Sequence, residues 1–124
     1  MQFTRFAAVA AIGLTALPAE AGEEPNFMLD TAGQLARLCE TAPSHPNFAA
    51  AIHMCHGYIL GVHHMHQAMA GAIESPFYCV PASPPSRDRI AADFASFVLA
   101  DPETAGLEAL DALMLFAIDR FPCP

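Results

Sequence analysis

Five of the six histidines crowd into one stretch, His53-Met-Cys-His56-Gly-Tyr-Ile-Leu-Gly-Val-His63-His64-Met-His66. Imidazole nitrogen binds copper and zinc, and thioether sulfur binds copper, so Met54, Met65 and Met69 strengthen a metal reading. On a helix His53, His56, His63 and His64 fall within about a quarter turn along the edge of an apolar stripe, and His66 points nearer the core. His63 and His66, at i and i+3, reach toward a common ion. This pattern defines one function, copper or zinc binding through His53, His56, His63 and His66. Against it, no H-E-x-x-H motif occurs, and the stretch offers no carboxylate ligand. A helix in a chain without lysine also needs a polar residue, and His with core-filling Met supplies that chemistry without any metal. The leading reading therefore assigns no metal and no cofactor.

Other chemistry has less to build on. There is no G-x-S-x-G turn for a serine nucleophile, and the cysteines read as paired. Glu103, Glu108, Asp111 and Asp119 form a solvated face, so no catalytic residue is assigned. Thirteen acidic residues against five arginines and no lysine give a net charge of −8. That balance excludes a phosphate-tracking nucleic-acid surface and leaves no basic patch for anionic membranes. Apolar residues make up 54% of the 124-residue chain and charged residues 15%, which suits one compact domain.

The elements that must position these residues read as helices. Asp30 or Thr31 caps a short first helix running to Cys39, with Leu35 and Leu38 at helical spacing. Two prolines make 41–47 a loop. A long second helix runs from Phe48 to about Ala72, with Ile52, Cys55, Ile59, Val62 and Met69 on its buried stripe. Gly57 and Gly61, at i and i+4, predict a close approach of a neighbouring helix. Pro76, Pro81, Pro84 and Pro85 make 74–86 the longest loop. Ser86 caps a third helix facing inward through Ile90, Phe94, Phe97 and Val98. Asp101-Pro102-Glu103 starts a fourth, continuing to about Arg120 with Leu107, Leu110, Leu113, Met114 and Ala117 inward. The expected fold is all-α, a small disulfide-stapled bundle of about four helices.

Residues 1–21 read as a cleavable signal peptide: a short Arg-containing start, an apolar run from Phe6 to Leu17, and an A-x-A-like site ending at Ala21. The remaining 22–124 form the single domain, and the periplasm is the expected compartment. Cys39, Cys55, Cys79 and Cys123 fit that destination as two disulfides, since no C-x-x-C pair suggests zinc or redox use. Spacing alone leaves three connectivities open. The helix reading favours Cys39 with Cys55 across a helical hairpin, and Cys79 with Cys123 tying the long loop to the C-terminus.

Four segments then line up: Leu35-Ala-Arg-Leu-Cys39-Glu40, Cys55-His-Gly57-Tyr58-Ile-Leu-Gly61-Val62, Phe77-Tyr-Cys79-Val-Pro81 and Phe121-Pro122-Cys123. Their order and spacing resemble the Rap/Tai family of small periplasmic immunity proteins, which protect bacteria against peptidoglycan amidases delivered by type VI secretion. The resemblance spans about Met28 to Cys123. It implies an all-helical, disulfide-bonded, often dimeric protein that binds an amidase, blocks its cleft and performs no catalysis. It carries over no effector-contacting residue.

The surfaces left for a protein partner are the loops 41–47 and 74–86. Phe77 and Tyr78 stand out as anchors, because aromatic rings on a proline-stiffened loop lose little entropy on docking. The competing expectation is that both rings pack over the Cys79 bridge. A helical acid-stress chaperone shares only size, acidity and compartment with this chain.

Overall fold

The computed structural model describes residues 24–124, so the signal-peptide reading of 1–21 lies outside the described residues. Five helices follow one another: α1 (Ala32–Cys39), α2 (Phe48–Met69), α3 (Arg87–Leu99), α4 (Pro102–Gly106) and α5 (Ala109–Arg120). No strand occurs among the described residues. No helix there is long and apolar enough to cross a membrane.

The short α1 forms the centre, and each of the other four helices packs on it. Its start is fixed by a reciprocal cap. The Thr31 hydroxyl accepts the Gln34 N–H, and the Gln34 side-chain oxygen accepts the backbone N–H groups of Thr31 and Asp30. Ala32, Leu35, Ala36 and Leu38 are wholly buried, beside Cys55, Phe94 and Val98 from neighbouring helices. Phe94 meets Phe116 edge-on, with centroids 5.6 Å apart. Burial of each such aliphatic or aromatic side chain contributes about 1.5–3 kcal/mol.

Both predicted disulfides are present. Cys39–Cys55 closes the α1–α2 hairpin with Cα atoms 5.2 Å apart, and Cys79–Cys123 joins the long loop to the C-terminus at 4.8 Å. Ser86 caps α3 by accepting the Arg89 N–H, as its position in the sequence predicts.

Three expectations are corrected. The predicted fourth helix is two helices, broken at Leu107 and Glu108. There the extended Leu107 carbonyl accepts the Ala32 N–H at 2.8 Å, satisfying a donor at the start of α1 that a continuous helix would leave unpaired. The break also resets the inward face: Ala109, Ala112, Leu113, Phe116 and Ala117 are buried on α5, and Leu110 is exposed.

The second correction concerns Gly57 and Gly61, which face open space with nothing within 4 Å of a would-be Cβ. The close approach occurs at Gly33, whose Cβ would stand 3.2 Å from the Ala105 carbonyl oxygen where α1 meets α4. The third is α2 itself. It ends at Met69, which is exposed, and only Ala51, Cys55 and His66 on it are buried. The longest helix is an edge element, packed on α1 and α3 along one side.

Candidate functional site

The last turns of α2 and the loop behind it meet around Tyr78. His66, the one buried polar residue of the chain's described part, lies flat against the Tyr78 ring, with centroids 4.0 Å apart and planes 16° from parallel. Its Nε2 accepts the Phe77 backbone N–H at 3.1 Å, which requires the ring proton to sit on Nδ1. One turn earlier, His63 Nδ1 is 3.2 Å from the Tyr78 hydroxyl. On the other side the Cys79 N–H donates to the Phe121 carbonyl at 2.8 Å, beside the Cys79–Cys123 bridge. Tyr78 packs with Phe121 and Ala117 in a second small core, bordered by Ile90 and Met114.

These contacts separate the two aromatic anchors. Tyr78 is buried, so it holds the loop to the helices and is not open to a partner. Phe77, its neighbour, has its backbone N–H held by His66 while the residue is 56% exposed. Only one of the pair thus presents a ring to solvent, and it does so from a braced main chain. The two candidate anchors therefore differ, with Phe77 exposed and Tyr78 buried.

The histidines of the metal reading make separate contacts. His66 is engaged by Tyr78 and Phe77, His63 by Tyr78, and His53 and His64 are exposed. His56 Nε2 lies 3.3 Å from Asp88 Oδ1 of α3. Among the described residues no three His, Cys, Asp or Glu side chains come close enough to share a metal ion. Tyr78, from the loop that follows α2, contacts both His63 and His66, which helical spacing alone could not reveal.

Electrostatics follow burial. Enclosure raises the Tyr78 phenol above its ordinary 10.0. The His63 imidazole is held below 6.5, first by burial and then by the neighbouring His64 and His66. Both groups are therefore neutral near pH 7.

Beside Tyr78 lies a cavity of about 370 Å³ between α2, the end of the long loop, α3 and α5. Ile59, Val62, Ile90, Leu113 and Phe116 form its apolar wall, and His56 and Arg87 add polar groups. Arg87 belongs to no motif in the sequence. Its signal was a cation in the first turn of a helix, where the positive helix end disfavours it.

No curated protein and no solved structure matches the chain. The family model described as Rap1a immunity proteins matches residues 31–123, from the α1 cap to the last cysteine. That span takes in every helix and both disulfides, and the chain belongs to the Rap1a immunity protein family.

Proposed function

We propose that the protein is a non-catalytic periplasmic inhibitor of a peptidoglycan amidase delivered by type VI secretion. Family membership supports an effector as the partner. The observation that carries the contact site is Phe77: an exposed ring on a main chain fixed by His66 on one side and by the Cys79–Cys123 bridge on the other. An aromatic side chain held in this way enters a cleft at little entropic cost. Export through a signal peptide cleaved after Ala21 completes the reading, since two disulfides form and persist in an oxidising compartment.

The test is inhibition of an amidase encoded beside this protein's gene. The wild-type protein should bind it and stop peptidoglycan cleavage, and the protein alone should release no product from peptidoglycan. Phe77→Ala should weaken binding at least tenfold, about 1.4 kcal/mol, with helicity and disulfides intact. Unchanged affinity would move the contact away from Phe77, and no binding by the wild type would remove the amidase from the proposal. Sedimentation of the purified protein checks the homodimer that accompanies this reading, and fractionation with N-terminal sequencing checks the periplasm and Gly22 as first residue.

A further inference from the structure

We propose that the cavity between α2, α3 and α5 is a binding site for a small amphiphilic anion, an apolar chain or ring of medium length carrying one carboxylate. Phe77 is not among its lining residues, and Tyr78 and His63, which support the Phe77 loop, form one side of it. Its volume of about 370 Å³ falls within the range of small-molecule sites, which begins at about 300 Å³. Walls of Ile59, Val62, Leu113 and Phe116 bind water weakly and an apolar body well.

The charge at the cavity identifies the other end of the ligand. The chain carries thirteen acidic residues and a net charge of −8, yet no Asp or Glu lines this cavity. Arg37, Arg89 and Arg120 each pair with a carboxylate, from Glu40 or Asp93. Arg87 lines the cavity and has no carboxylate partner among the described residues. It is also the first residue of α3, so its charge adds to the positive helix end instead of opposing it.

A second group lining the cavity, His56, faces a carboxylate without hydrogen-bonding to it. His56 Nε2 is covered from solvent and makes no hydrogen bond. The nearby Asp88 oxygen, at 3.3 Å, belongs to a side chain that is 87% exposed and is not aligned to accept. A buried ring nitrogen left in this state costs free energy that a bound acceptor recovers. A neutral apolar ligand would leave the exposed Arg87 guanidinium at the rim without an acceptor. A bare inorganic anion would leave the apolar wall unused. One carboxylate on an apolar body satisfies both.

Octanoate is the probe and octan-1-ol its neutral counterpart, titrated into isotope-labelled protein and followed by amide shifts and by calorimetry. Octanoate should bind saturably at one site, at least tenfold more tightly than octanol, and move the amides of Ile59, Val62 and Ala117. Arg87→Gln, a surface change, should reduce octanoate affinity at least tenfold and leave octanol binding unchanged. Val62→Phe, which fills the cavity, should abolish both. Absence of saturable binding, equal affinity for the alcohol, an unaffected Arg87→Gln variant, or shifts clustered elsewhere would each overturn the assignment. None of these outcomes depends on an amidase, so the inhibitory reading stands or falls separately.

Discussion

Tyr78 stacks on His66 across an interval of twelve residues, and this pair joins the exposed loop to the end of α2. Neither residue is a contact surface. Together they hold the main chain from which Phe77 projects.

Removing the ring should therefore act on stability before it acts on binding. Tyr78→Ala is expected to cost about 3 kcal/mol in urea unfolding, the scale of a buried aromatic truncation. Tyr78→Phe loses only the contact with His63 and should cost about 1 kcal/mol. Phe77→Ala, at an exposed position, should stay within about 0.5 kcal/mol of wild type.

His63 gives the fold a pH dependence of definite sign. Its imidazole is depressed below 6.5 in the folded protein, so the unfolded chain takes up the proton more readily. The stability linked to this group is present above pH 6.5 and is lost as the pH falls through the window beneath it. Thermal midpoints should drop from about pH 7.5 to about pH 5.5, and less so in His63→Gln. Asp93, held below 3.8 first by its hydrogen bond from Arg89, contributes a further loss only at lower pH. An identical pH profile for the His63 variant would contradict this account.

The glycines should respond in opposite ways to the same substitution. Gly57→Ala and Gly61→Ala meet open space on a helix and should each stabilise by up to about 1 kcal/mol. Gly33→Ala gains the same helix propensity but brings Cβ to 3.2 Å from a backbone oxygen of α4, and should be neutral or destabilising. Denaturant midpoints of the three variants decide the matter.

The two disulfides should differ in worth. By loop-closure entropy, replacing both cysteines of Cys39–Cys55 should cost about 3 kcal/mol, and of Cys79–Cys123 about 4 kcal/mol. Their sequence separations are 16 and 44 residues. Cys55 is also buried in the main core, so its replacement adds a packing loss that Cys123, at the surface, does not.

What was legible in the sequence was local. Thr31 and Ser86 announce their helices because a cap is a contact across three residues. The disulfide pairing followed from where helices end. The break at Leu107 was not legible, because the Ala32 N–H that it serves comes from the far end of the chain. Gly57 and Gly61 misled because their spacing tells of a possible close approach and not of which helix has a neighbour. Tyr78 and Phe77 are adjacent and chemically alike, and packing against His66, Phe121 and Ala117, distant in sequence, decides which turns inward. The role of Arg87 is not legible in the sequence, because the value of an unpaired charge depends on how the other arginines are paired.

The bridges join first cysteine to second and third to fourth, so the two covalent rings neither overlap nor enclose one another. An oxidant that links thiols in the order in which they emerge during synthesis makes the native pairs directly. Reaching this connectivity requires no shuffling of a mispaired intermediate, and a disulfide isomerase should be dispensable for maturation even where a thiol oxidase is essential.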